Sequence, residues 1–333
     1  MIEKVFIAGG AGFIGSHFVE HLLSKPETKL VTVYDNFSSG QHWHLENTLS
    51  QESKAKRLNI VRGEITDLSL LAESMAGHDT VIHLASNPDI AKAAVEPMID
   101  FDQGTLLTQL IVEAMRRTGT KKILYASGSG VYGDVGLLSV PEDYGPMIPI
   151  STYGASKLAG ENLIAAYAHM FGISGVAFRF GNVVGPRQTH GVGLDFIRKL
   201  RANPSELHIL GDGSQSKSYV YIEDIMAAVL LAGEKVVAPF AVFNVGTGDY
   251  ITVKEIAEIA IEKVLGKGAA VKLSFAGGDR GWKGDVPIIR MNTDRIKALG
   301  WTCQNTCSQA IERSIEAMLA DSRLLSGISG KAD

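Results

Sequence analysis

In the stretch "STYGASK", residues 151–157, a tyrosine and a lysine stand four positions apart. On a helix, Tyr153 and Lys157 share one face. Two readings fit that spacing: a solvated helix face, or a phenol that works as a base beside its activating ammonium. Such a base must give up a proton that it ordinarily holds to about pH 10, and a neighbouring cation favours the phenolate. Bringing the phenol to neutrality takes about 3 units, roughly 4 kcal/mol. The pair alone does not decide between the readings.

The N-terminal segment supplies context. In "GGAGFIG", Gly9, Gly12 and Gly15 are spaced three apart, after an apolar run and before an amphipathic one. Glycines in that setting allow a tight turn and a close approach of backbone to a pyrophosphate, which then sits on the helix N-terminus. Asp35 ends the second apolar run, twenty residues after Gly15. A carboxylate there can bind the adenosine ribose hydroxyls of NAD and repels a 2′-phosphate. The same helix carries "HFVEH", residues 17–21, which matches one zinc-peptidase pattern. The glycine turn already claims the start of that helix and no third ligand accompanies His17 and His21, so no metal site is expected. "QHWH" at 41–44 reads as a loop.

These residues need elements to position them. "KVFIAGG", "KLVTVYD", "LNIVRGE", "DTVIHLAS", "KKILYAS" and "GVAFRFGN" read as buried parallel strands, apolar on both faces. "GSHFVEHLLSK", "DLSLLAESMAG" and "GTLLTQLIVEAMRRTG" read as helices between them. The alternation predicts an α/β fold, a doubly wound parallel (Rossmann) sheet. Beyond residue 182 the pattern loosens into glycine-rich loops with scattered helices. The expected organisation is a dinucleotide-binding domain over 1–182, with returns around 219–250. A smaller, discontinuous substrate lobe covers 183–320, and the tail over 321–333 is expected to fray at "SGISGKAD".

With 333 residues, 45% of them hydrophobic and 20% charged, the chain can bury a large core. A net charge of −4 gives no electrostatic case for nucleic acid or an anionic membrane. Any anionic ligand must meet locally placed donors. No signal peptide and no membrane-spanning run is expected. Cys303 and Cys307 make neither a disulfide framework nor a zinc site, and free thiols in a reducing cytoplasm are the expectation.

"GGAGFIG", "YDN", "GEI", "HLAS", "VYGD", "YGASK", "GNVVGPRQ", "YIED" and "NVGTG" follow one another in the order seen in extended short-chain dehydrogenases/reductases. To about residue 320 the chain resembles their NAD-dependent sugar epimerase/dehydratase branch, and within it the UDP-glucose 4-epimerases. The resemblance implies that Tyr153 is the base that takes a sugar hydroxyl proton, with Lys157 as its activator. It implies an NAD site formed by Gly9, Gly12, Phe13, Ile14, Gly15, Asp35, Asn36, Ser38, Gly40, Glu64, Ile65, Leu84, Ala85 and Ser86 together with Tyr153 and Lys157. For a nucleotide-sugar it implies Ser127, Tyr153, Asn182, Lys217, Tyr219, Arg280 and Asp285. It also implies a homodimer, through helices near 104–118 and 153–171.

The departures from the family pattern are local. Dehydratases of the branch place an acid just before Val-Tyr-Gly, where this chain has Ser127, Gly128, Ser129 and Gly130. A 4,6-elimination needs that acid to protonate the departing hydroxyl, whereas 4-epimerisation does not. Gly128 replaces a serine common in 4-epimerases, so the helper hydroxyl is Ser127 or Ser129, with Ser127 favoured. Asp100, Phe101 and Asp102 stand where an asparagine is common. Lys217 and Trp282 stand where arginines are usual, with Arg280 two residues earlier.

Overall fold

In the computed structural model, which describes residues 2–325, the alternating runs become a seven-stranded parallel sheet. Its strands are β1 (Lys4–Ala8), β2 (Leu30–Asp35), β3 (Leu58–Arg62), β4 (Thr80–His83), β5 (Lys122–Gly128), β6 (Ser174–Phe180) and β7 (Phe240–Val245). They lie in the order β7-β6-β5-β4-β1-β2-β3. The frayed tail expected over "SGISGKAD" falls outside the described residues.

Adjacent residues of β1 explain the sandwich. Phe6 joins one buried cluster with Tyr34, Leu71 and Met115, while Val5 and Ile7 join the opposite one with Val33 and Phe178. A strand that is apolar on both sides, as β1 is after Lys4, has two faces to bury, and parallel crossovers put helices on both. β1 is flanked by β2 and β4, so successive crossovers leave it in opposite directions. At such a switch point a crevice opens beyond the C-terminal strand ends.

The helices of eight residues or more within residues 2–182 are α1 (Phe13–Ser24), α2 (Leu68–Met75), α3 (Leu107–Thr118) and α4 (Thr152–Phe171). The expected helix from Gly104 starts differently, as six residues of π-helix over Phe101–Leu106 that run into α3. Ile111, Val112, Ala114 and Met115 of α3 are fully buried against the sheet within one chain. Ser151 caps α4, its hydroxyl accepting from the Gly154 N–H at 3.0 Å. α5 (Val192–Ala202), α6 (Ile222–Lys235), α7 (Val253–Leu265) and α8 (Cys307–Ala320) follow. Capping boxes at Thr252/Glu255 and Thr306/Gln309 fix the starts of α7 and α8.

Candidate active site

The glycine turn after β1 has the shape that its spacing predicts. Gly9 takes φ +80°, and a side chain there would sit 2.7 Å from the Ala85 nitrogen. A Cβ at Gly15 would overlap the Gly9 carbonyl oxygen. α1 starts after Gly12 with no side-chain cap, so its first N–H groups point into the crevice free for an anion. At the end of β2, Asp35 Oδ2 accepts from the Ala11 N–H at 2.9 Å and Oδ1 from the Phe37 N–H at 2.8 Å. Burial raises the Asp35 pKa and these two bonds oppose the rise. Each oxygen keeps a lone pair for a ribose hydroxyl. Gly40 packs on Asp35 without reaching the crevice wall: a Cβ there would lie 2.9 Å from Oδ1. Asn36 Nδ2 donates to Glu64 Oε2 at 3.1 Å, which joins the ends of β2 and β3. A turn closed to a Cβ at Gly9 and Gly15, backed by a carboxylate, fits the pyrophosphate and adenosine ribose of NAD.

A cleft of about 640 Å³ runs from this cradle across the ends of β4, β5 and β6 to α8. It is lined by Phe13, Ile14, Ser38, Ile65, Leu84, Ala85 and Ser86 and, at its centre, by Tyr153 and Lys157. The Tyr153 phenol hydrogen-bonds Ser86. The Lys157 ammonium lies 5.4 Å from the centre of the Tyr153 ring and donates to the Ala126 carbonyl at 2.8 Å. The pair therefore projects into the cleft, not into solvent.

Without the cofactor, burial dominates the electrostatics of the pair. Burial pushes the Tyr153 phenol up to about 12, the Asp100 carboxylate adds to the rise, and the Ser86 bond only partly offsets it. Burial also brings Lys157 down to about 8, with Asp100 acting the other way. The protein by itself holds a neutral phenol, because the desolvation cost of a phenolate outweighs the nearby ammonium.

Ser127 and Ser129 sit on the wall beside the phenol. Ser127 is buried at the end of β5, and its Oγ donates to Glu161 Oε1 at 2.5 Å. Glu161 lies one helical turn beyond Lys157, and Arg179 of β6 meets it with Nε at 3.0 Å and Nη2 at 2.7 Å. Both are 2% exposed. Burial works against the Arg179 charge, yet the bonds and charge of Glu161 hold its pKa above the ordinary value. Arg179 Nη1 also donates to the Tyr132 hydroxyl at 2.8 Å, which in turn donates to Asn244 Oδ1 at 2.7 Å. One network thus ties β5, α4, β6 and β7 behind the cleft. Ser127, favoured as the helper hydroxyl, already has its proton engaged.

At the far end Asn182, Lys217, Tyr219, Trp282 and Asp285 line the cleft. Burial raises the Tyr219 pKa, with Asn182 hydrogen-bonded to its hydroxyl. Lys217 Nζ pairs with Asp285 Oδ1 at 2.5 Å. Arg280 does not line the cleft. Its Nη2 reaches Asp134 Oδ2 and its Nη1 the Asp285 carbonyl, each at 2.5 Å. A nearer carboxylate has captured the guanidinium, which braces the Asp285 loop from behind.

Gln188, Thr189 and His190 on one lip, and Ile311, Ser314 and Ile315 of α8, also line the cleft. Gln188 closes the motif "GNVVGPRQ" and was open to notice, whereas the α8 residues carry no such mark. The histidine pattern makes no metal site: His17 Nε2 donates to the Pro186 carbonyl at 3.0 Å while Nδ1 accepts from Arg187 at 2.8 Å. Among the described residues no metal-binding cluster forms. Nor is any described helix long and apolar enough to cross a membrane. Both cysteines are free thiols, and burial pushes Cys307 up to about 11 and Cys303 to about 12.

The sequence model of the NAD dependent epimerase/dehydratase family matches residues 5–246. The chain belongs to this family. NAD is accordingly its cofactor. Among family members it is 31% identical over 325 residues to a putative UDP-glucose 4-epimerase of Methanocaldococcus jannaschii, covering 96% of this chain and 99% of that one. A dTDP-glucose 4,6-dehydratase of Actinoplanes is 32% identical over 271 residues, covering 78% and 81%. The UDP-glucose 4-epimerase of Thermus thermophilus, solved with NAD, superposes with a TM-score of 0.82 at 28% identity, covering 95% and 99%.

Proposed function

We propose that this epimerase/dehydratase-family enzyme is a nucleoside-diphosphate-sugar 4-epimerase, most simply one that interconverts UDP-glucose and UDP-galactose through a 4-keto sugar. The observation that carries the reading is the wall beside Tyr153. From Ser127 to Gly130 it offers two hydroxyls, two glycines and no carboxyl group. A 4,6-elimination lacks its acid there, while epimerisation needs only room for the 4-keto ring to turn. Gly128 provides room: a Cβ placed on it would meet no atom within 4 Å.

NAD, when held by the glycine turn and Asp35, would supply the hydride acceptor and donor. As a phenolate, which the positive nicotinamide of NAD would favour together with the Lys157 ammonium, Tyr153 would take the proton of the C4 hydroxyl and return it, and such a base contributes about 10²–10⁴-fold. Lys157, fixed on the Ala126 carbonyl, keeps a positive charge beside the ring. Ser129 donates to the C4 oxygen, since the Ser127 proton belongs to Glu161 and its oxygen serves as an acceptor. Asn182, Tyr219 and Lys217 face the nucleotide end, where Lys217 gives a point charge in place of a planar fork.

Incubation with UDP-, GDP-, CDP- and dTDP-sugars, followed by NMR of the products, tests the reading. A C4 epimer without net cofactor reduction is the expected outcome. A 4-keto-6-deoxy sugar refutes it, and Tyr153→Phe should abolish turnover while leaving bound NAD in place.

A further inference from the structure

Asp100 lies behind the reacting phenol, 1% exposed, at the start of the π-helical segment. Each of its carboxylate oxygens is committed. Oδ1 accepts from Asn87 Nδ2 at 2.9 Å and Oδ2 accepts from the Thr152 hydroxyl at 2.7 Å. Both partners adjoin a residue of the site. Asn87 follows Ser86, which bonds the Tyr153 phenol, and Thr152 precedes Tyr153 itself. Asn87 is in turn locked by its own loop, accepting from the Asp89 N–H at 3.0 Å and donating to the Asp89 carbonyl at 2.8 Å. A single buried carboxylate therefore clamps the loop after β4 to the first turn of α4, with the phenol between them.

We propose that Asp100 is the positioning residue of the Tyr153–Lys157 pair: it fixes the phenol between two anchored segments and supplies the buried negative charge that keeps both protons in place before reaction. The assignment rests on Tyr153 being the acid–base group. A buried anion disfavours a phenolate and favours an ammonium. Burial, the larger effect, raises the phenol and lowers the ammonium, and on both groups Asp100 acts upward as the rule requires. The other titratable groups facing the pair do not compete for this part. His83 of β4 is held neutral by burial, with Lys157 adding to the effect, at about 3. Tyr125 of β5, whose ring centre lies 5.3 Å from Lys157 Nζ, is held neutral by burial. Glu161, on the far side of Lys157, is neutralised by Arg179 at 2.7 Å. Asp102, on the same π segment, is exposed to solvent.

The test is Asp100→Asn, which keeps the shape and removes the charge. Tyrosine ring-carbon NMR on the cofactor-free protein, with the Tyr153 resonance assigned by its loss in Tyr153→Phe, reads the phenol directly. In Asp100→Asn the Tyr153 titration should fall by about one unit. The acid limb of kcat/KM should move to lower pH by a similar amount, with KM nearly unchanged. Asp100→Glu should restore the wild-type titration. An unmoved resonance in a folded Asp100→Asn protein overturns the proposal and leaves Asp100 as structural support. Full activity in Tyr153→Phe with the resonance still shifted in Asp100→Asn refutes instead the acid–base reading on which it rests. Should Asp100→Asn fail to fold, Thr152→Val frees one carboxylate oxygen and keeps the charge: kcat should then fall several-fold at unchanged KM, and a wild-type kcat overturns the clamp.

Discussion

Glu161→Gln is the most informative single change to the scaffold of this site. The substitution preserves volume and replaces one carboxylate oxygen by an amide NH2 that faces the Arg179 guanidinium, which is itself 2% exposed. Three bonds within 3.2 Å join the two side chains, and none of their charge reaches water. Removing one partner of a buried pair costs about 3–5 kcal/mol, because the remaining charge is left uncompensated. At about 2.1 cal/mol/K per residue, a chain of 333 residues unfolds with roughly 0.7 kcal/mol/K of entropy. The expected loss in Tm is therefore about 4–7 °C, measured by near-UV circular dichroism at pH 7. The loss should persist in 1 M salt, since a pair hidden from solvent is little screened. Glu113→Gln, which breaks the surface pairs to Arg116 and Arg117, serves as control and should shift Tm by about 1 °C or less. Adding Arg179→Met to a Glu161→Leu background should recover part of the deficit. A Glu161→Gln protein that melts within 1 °C of wild type refutes the claim that this network holds β5, α4 and β6 together.

Ser129→Ala should lower kcat at saturating substrate more than Ser127→Ala, and the reverse order in steady-state kinetics would return the donor role to Ser127. Lys157→Met removes a buried ammonium whose pKa falls from 10.5 to about 8 on folding. The folded state thus binds that proton more weakly; the wild type bears a penalty of up to roughly 3 kcal/mol below pH 8, relieved as pH rises from 8 towards 10.5. The variant should be inactive yet melt higher than wild type at pH 6, with the gap closing by pH 10; a gap independent of pH contradicts the burial argument. A homodimer is expected from light scattering at micromolar concentration, built on Leu110, Tyr167 and the exposed Met170 and Phe171, because the other apolar residues of α3 face inward. A monomer mass rules it out.

The glycine turn, Asp35 and the Tyr153–Lys157 spacing were legible because each depends on neighbours within one strand–turn–helix unit or one helical turn. The sheet was legible for the same reason: runs such as "KVFIAGG" have no polar face to turn to water. What stayed hidden depends on contacts between distant segments. Nothing in "MIDFDQG" marks Asp100 as buried, and the electrostatics of Tyr153 could not be set without it. Glu161 and Arg179 are separated by eighteen positions, and only the packing of α4 on β6 turns them into a pair. Arg280 read as a ligand for a substrate because Asp134, its actual partner, lies 146 positions away.

The Cys307 thiol offers a clock for the enzyme's opening. Cys307 begins α8, the helix whose Ile311, Ser314 and Ile315 close one side of the cleft. Buried as it is, and with its proton held to about 11, its thiol is inert to alkylating reagents while α8 is docked. Labelling then proceeds only in the moments when that helix lifts away, so its rate counts those moments. A native chain needs no engineered probe to report how often its cleft comes apart at the α8 side, and a ligand that bridges α8 to the sheet slows the count in proportion to its occupancy.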